Sequence, residues 1–302
     1  MTTAPALLAV GPGTRDESGA EAVRSFVGRL GDGGAGAPVA WALTGPGGPS
    51  PAEAVADLAG RGVRRLAVVP LTLDAGPAPT GPGDAVARAV AAHPGLEAVC
   101  GQPLGAHPFV LEALEHRVDE ALGTTSRTPG DRADTTVLLV GRGAVEPEAN
   151  AELHRAARLL WEGRGFAGVE TAFVSVAAPD VTSGLERCRA LGARRVVVLP
   201  YFLFPEDATD RAALQVEGWS AVYPETDVRL AGVLGSGASL AELVWQRYRE
   251  ALACPGRSGA VCCAHPRTAA PGGEPCGEPG AGAGADSGPG PASDSDEGPA
   301  RA

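Results

Sequence analysis

Lysine is missing from this chain. All 25 of its basic residues are arginine, set against 36 acidic ones for a net charge of −11. Such a balance leaves no basic patch to neutralise phosphates, so a nucleic-acid partner is not expected. Nowhere do 18 apolar residues run together, which argues against a membrane-spanning helix. The opening "MTTAPALLAVGPG" has no basic stretch before its apolar run, and that run is only a strand's length. A soluble, cytoplasmic protein is the expectation. A disulfide framework is also lacking: Cys100 and Cys188 stand alone, while Cys254, Cys262, Cys263 and Cys276 all fall in the last 50 residues. Aromatics make up 4% and are unevenly spread. Phe26, Trp41 and Phe109 are the only three before residue 123, and the other ten follow.

What the chain does have is a hydrophobic content of 44% over 302 residues, enough for two domains of ordinary size. It also repeats itself. "GVRRLAVVPLTL" (62–73) recurs as "GARRVVVLPYFL" (192–203), an offset of 130 that also relates Gly11 and Gly13 to Gly141 and Gly143, Val39 to Val169, Pro94 to Pro224 and Gly105 to Gly235. No gap is needed across about 115 residues. The reading is a duplicated domain, with copies at 1–122 and 135–252 and a polar linker over 123–134.

Each copy alternates short β-branched runs with helical patterns, β-α-β-α-β-α-β-α. Strands are expected at 6–10, 39–43, 65–70 and 97–100, then at 136–140, 169–174, 195–200 and 227–231. Helices are expected at 21–30, 51–60, 147–162 and 238–252, among others. Runs such as "VVVLP" are apolar on both faces, as in a parallel sheet covered on both sides. The fold class is therefore α/β: two four-stranded parallel sheets flanked by helices, facing each other across a cleft. In "PYFLF", Tyr201 and Leu203 must point opposite to Phe202 and Phe204, and core packing is the default for all four. Ligands of such sheets sit at the carboxyl ends of the strands, which points to the loops after Val10, Leu43 and Pro70 and their second-copy equivalents. Residues 253–302 hold 11 Gly and 8 Pro and read as a disordered acidic tail. The cysteine spacing there, with His265 nearby, does not match a zinc or iron–sulfur pattern.

Several phrases carry a family resemblance: "LLAVGPGTRD", "RRLAVVPLTL", "VGRGAVEPEANAELHRAARLLWEGRG", "VETAFVSVAAPDV" and "RRVVVLPYFLF". Over residues 5–252 the chain resembles the two-domain sirohydrochlorin chelatases of actinobacteria. That resemblance implies insertion of cobalt or iron, as substrate, into the macrocycle sirohydrochlorin on the way to cobalamin or sirohaem, and it makes no cofactor certain. It also implies a histidine after the first strand, an acidic residue after the second and a histidine after the third. The matching positions here are Pro12, Thr44 and approximately Pro77. Metal insertion needs groups that hold a cation and accept two pyrrole protons, and neither proline nor threonine does so well. The 130-residue offset makes Arg142, Val174 and Asp207 their second-copy equivalents, with Glu206 adjacent.

Arg142 suits an anion such as one of the eight carboxylates of sirohydrochlorin, or is simply inherited with the second copy; both readings stand. Arg15 and Asp16 serve either substrate or helix capping, and capping by Asp16 or Ser18 is the simpler reading. The backbone around Gly11, Gly13 and Thr14 offers N–H groups to an anion. His93 and His107 precede proline and read as loop punctuation, while His116 and His154 lie in helices with charged neighbours. The expectation is thus a chelatase-like scaffold with impaired metal insertion. The alternatives are a tetrapyrrole-binding or chelatase-regulating protein without catalysis, or a cleft recruited to other chemistry through Arg15, Arg142, Glu206 or Asp207. Both halves lie in one chain, so a monomer is expected.

Overall fold

Alternating apolar runs and amphipathic segments fold into eight strands and nine helices among the described residues. A computed structural model describes residues 4–33, 36–74, 82–123, 129–235 and 237–253. The first copy contributes β1 (Ala6–Gly11), α1 (Glu17–Gly33), β2 (Val39–Leu43), α2 (Pro51–Gly60), β3 (Arg65–Pro70), α3 (Pro82–Ala91), β4 (Glu97–Cys100) and α4 (Pro108–Leu122). After α5 (Pro129–Ala133) come β5 (Thr135–Gly141), α6 (Pro147–Trp161), β6 (Gly168–Phe173), α7 (Val181–Ala190), β7 (Arg195–Pro200), α8 (Asp207–Val222), β8 (Asp227–Leu230) and α9 (Ala238–Ala253). Every expected strand is present, with ends displaced by a residue at most. The first helix starts four residues earlier than the periodicity indicates because Asp16 caps it. Its carboxylate accepts from the Ser18 N–H at 3.0 Å and the Ser18 hydroxyl at 2.7 Å.

All pairings are parallel, in the orders β2-β1-β3-β4 and β6-β5-β7-β8. The 130-residue offset survives into the register. Leu7 lies opposite Val39 and Ala67, and Val137 lies opposite Val169 and Val197.

The central strands are buried on both faces, so alternate residues feed different cores. On one face Ala6, Leu8 and Val10 pack with Val55 and Leu58 of α2, and Leu138 and Val140 pack with Leu185 of α7. On the other, Leu7 and Ala9 join Val137 and Leu139 in one core shared by both copies. Two helices build that shared core by exchange. The buried stripe of α4 (Val110, Leu114, Val118) packs against β7 and β8 of the second copy, and α9 (Leu240, Leu243, Val244) packs against β3 and β4 of the first. The short α5, which falls in the stretch read as linker, is held to α4 by Arg132, which donates to Asp119 at 2.7 Å and to Glu115 at 2.5 Å. No helix among the described residues is long and apolar enough to cross a membrane. The tail reading, from residue 254 on, lies outside the described residues.

Candidate functional site between the two copies

In each sheet the chain order turns back between the first and third strands, so their carboxyl ends open a crevice. The two crevices face one another. They form a single cleft of about 260 Å³ lined by the loops after β1, β3, β5 and β7. Glycines let these loops approach closely. A methyl group on Gly13 would stand 2.3 Å from the Gly45 Cα, and one on Gly143, at φ 88°, would stand 1.9 Å from the Ser175 carbonyl oxygen.

From the first copy, Pro12, Gly13 and Thr14 line the cleft with Leu71, Leu73 and Asp74. Thr44 is not among the lining residues. It follows β2, one strand away from the crevice, where its N–H donates to the Gly11 carbonyl at 3.0 Å and its hydroxyl lies 3.4 Å from the same oxygen. Gly11 is buried against Leu43, and Arg15 is exposed outside the lining. Pro77 lies outside the described residues. The expectation that the Thr14 N–H is open to an anion is corrected: it donates to the Pro46 carbonyl at 2.8 Å, because Gly13 packs directly on the Gly45–Pro46 backbone.

From the second copy come Arg142, Glu152, Tyr201, Phe204 and Glu206. Arg142 is half exposed and its guanidinium pairs with the Glu206 carboxylate, whose side chain is only 15% exposed. Glu206 therefore keeps one oxygen on Arg142, while its Oε1 is buried without a hydrogen-bond partner. Burial pushes the Glu206 carboxyl above the ordinary glutamate range, against the pull of Arg142. Asp207 is exposed, lies outside the lining and begins α8. Asn150 holds the loop after β5 in place by accepting from the Ala144 N–H at 2.9 Å and donating to its carbonyl at 2.8 Å.

Tyr201 and Leu203 enter the shared core and Phe202 the opposite one, but Phe204 packs against the shared core too, a correction to the expected alternation, because β7 ends at Pro200 and the segment beyond it is no longer strand; all four line the cleft. Phe204 is partly buried, with its ring centroid 5.6 Å from that of Phe26. The Tyr201 hydroxyl is buried with no hydrogen-bond partner, and its own burial raises its pKa, with the charges of Glu152 and Asp74 adding to the effect.

Sequence reasoning missed Asp74, Glu152 and Asn150. Asp74 stands at the rim of the cleft and is exposed. Loss of water pushes its carboxyl above the ordinary aspartate range, and Arg142 opposes that. Its one signal was its place at the carboxyl end of β3.

The described histidines, His93, His107, His116 and His154, lie outside the lining. His107 caps α4, its Nδ1 accepting from the Phe109 N–H at 3.3 Å, and His154 pairs with the Thr171 hydroxyl at 3.0 Å. Among the described residues no group of three His, Cys, Asp or Glu side chains is placed to hold a metal ion. Burial pushes the Cys188 thiol up to about 12, so it is not a thiolate at neutral pH.

Comparison with known proteins returns one family model, CbiX, matching residues 6–121 and again residues 136–251. A sirohydrochlorin cobaltochelatase of Priestia megaterium is 34% identical over 205 residues, 68% of this chain and 66% of that protein, just under two thirds of its length. A sirohydrochlorin ferrochelatase of the same organism is 29% identical over 201 residues, 65% of this chain and 71% of that one. In three dimensions the chain is similar to SirB from Bacillus subtilis with Fe3+, at a TM-score of 0.71 and 22% identity, covering 85% of this chain and 99% of that one. This last likeness is one of fold.

Proposed function

Because the chain belongs to the CbiX family and carries its domain twice, we propose that it binds sirohydrochlorin in the cleft between the copies and is impaired in inserting metal into it. The observation that carries the reading is the cleft lining itself. Apolar side chains from both copies, among them Leu71, Leu73 and Phe204, offer a wall to a flat macrocycle, and Arg142 offers a guanidinium to its peripheral carboxylates. Where the family resemblance implies a histidine, the loop after β1 presents Pro12 to the same space.

Ligand and base are coupled requirements. The incoming divalent ion, here substrate, must shed water onto protein donors while the macrocycle loses two pyrrole protons. Pro12 offers no donor atom on its side chain. Thr44 offers a hydroxyl already turned to the Gly11 carbonyl. Arg142 repels a cation and draws Glu206 into an ion pair, so the second copy does not supply the lost set. The strand registers that would position the ligands are the same in both copies.

The test is direct. Purified protein given sirohydrochlorin and cobalt(II) should change the macrocycle's absorption spectrum scarcely faster than the protein-free control. Restoring Pro12→His, Thr44→Glu and Pro77→His together should recover part of the rate, since a positioned base is typically worth ~10²–10⁴-fold. Pro12→His alone should recover little, because one ligand neither holds nor orients a divalent ion well. Robust turnover by the unaltered protein would overturn the reading.

A further inference from the structure

The charged groups of the cleft are unevenly matched. Among the described residues its lining holds three carboxyl side chains, Asp74 from the first copy and Glu152 and Glu206 from the second, against one guanidinium, Arg142. Arg142 pairs with Glu206 through one nitrogen and remains half exposed, and Glu152 lies 3.7 Å from Arg155. Two polar atoms beside them are left unsatisfied: the Glu206 Oε1 and the Tyr201 hydroxyl are buried without a hydrogen-bond partner among the described residues. Tyr201 is 8% exposed and lines the cleft together with Asp74 and Glu152. Buried polar groups are nearly always paired, and an acceptor-rich wall with idle oxygens is complemented by a ligand that brings N–H donors. The same lining is otherwise apolar, through Leu71, Leu73, Leu153 and Phe204. A ligand that fits both features carries its N–H groups within an apolar frame.

We infer that this wall selects a tetrapyrrole that still holds its inner N–H groups over the same macrocycle with metal bound, and that Asp74, Tyr201 and Glu206 read the difference. The inference rests on the proposed binding of sirohydrochlorin. The metal-free ring offers N–H donors at its centre. In the metallated ring both protons are gone, and the nitrogens direct their electron pairs to the ion, so the wall's acceptors meet no donor. Peripheral carboxylates are common to both forms and are met by Arg142, so they add affinity without discrimination. A protein built in this way holds the unmetallated ring and releases it once metal is in place.

The experiment titrates the full chain with three probes at one pH, following tryptophan fluorescence: sirohydrochlorin, its nickel(II) complex and its cobalt(II) complex. Nickel(II) in a square-planar ring offers no further site to a carboxylate, whereas cobalt(II) can accept one. Metal-free sirohydrochlorin should bind about tenfold or more tightly than the nickel complex, the factor expected for one or two hydrogen bonds to carboxyl groups. Tyr201→Phe, which removes only a hydroxyl, and Glu206→Met should each shrink that ratio toward one. Arg142→Gln should weaken both probes alike and keep the ratio. Equal affinity for the metal-free ring and the nickel complex overturns the inference and leaves the proposed function standing. Tighter binding of the cobalt complex than of the metal-free ring also overturns it, since the carboxyls would then be metal ligands. Failure of all three probes to bind overturns the proposed function and this inference with it.

Discussion

Glu206 concentrates the chemistry of the cleft at one side chain. One oxygen is paired to Arg142, the other is buried and idle, and burial holds its proton above the ordinary glutamate value of 4.5. The sign of the linkage follows. In the unfolded chain this carboxyl ionises near 4.5, while in the folded protein it keeps its proton to higher pH. Its contribution to stability is therefore full below 4.5 and is lost as pH rises through the folded-state value. Glu206→Gln cannot ionise and should escape that loss. Urea unfolding of the two proteins should show the glutamine variant gaining on the wild type as pH rises from 4.5 toward neutrality. A gap that stays flat, or reverses, means that the Arg142 pair outweighs burial. Sequence inspection named Arg142 from the repeat offset and Glu206 as the neighbour of the offset position Asp207, and it missed Asp74, whose second-copy equivalent is Phe204. A repeat guides the eye to matched positions, and an unmatched functional residue leaves no mark in it.

At the scale of elements, local chemistry accounts for most of the boundaries. Ser50 closes α2 with a capping box, its hydroxyl accepting from the Glu53 N–H at 3.3 Å while the Glu53 carboxylate accepts from the Ser50 N–H at 2.8 Å. Asp180 caps α7 by accepting from the Ser183 N–H at 2.7 Å. The last turn of α4 is different because its cap comes from the other copy. Arg229 on β8 donates to the Ala121 carbonyl at 3.2 Å and to the Leu122 carbonyl at 2.8 Å. Arg229→Ala should cost about 1 kcal/mol, a discounted value because the guanidinium is one-third exposed and also shared with Asp227. Amide exchange should quicken in the last turn of α4 and leave α2 and α7 unchanged. Uniform change across all three helices would show that the contact does not act locally. Nothing in "VDEAL" foretells this cap, since the donor lies more than 100 residues away.

The whole molecule is less divisible than its repeat. Residues 1–122 carry a complete β-α pattern, yet α4 packs its apolar stripe on β7 and β8, and the first sheet takes its cover over β3 and β4 from α9. Cut off alone, this segment would expose Val110, Leu114 and Val118 together with the face of β3 that α9 covers. Each such side chain is worth roughly 1.5–3 kcal/mol when buried. A typical domain has only ~5–15 kcal/mol in hand. A fragment of residues 1–122 should therefore be molten, or should self-associate to regain the missing cover, by size-exclusion chromatography and near-ultraviolet circular dichroism. A sharp, monomeric, native-like fragment would contradict the exchange. The cleft depends on the same packing, since its walls come from loops in both copies.

Local physics made the strands, the helix periods, the glycine turns and the gapless 130-residue duplication readable in the sequence alone. Each depends on side-chain alternation or backbone freedom within a few residues. The duplication implies only that the register joining Leu7 to Val39 is repeated between Val137 and Val169; the pairing itself is tertiary. Only the tertiary structure decided which sheet each closing helix covers and which distant side chains meet. An amphipathic stripe such as that of α4 states that it must be buried and does not say against what. Asp74, Tyr201, Arg142 and Glu206 converge because two sheets pack through one common core, and that long-range packing brings the loops of the two copies to opposite sides of one cleft.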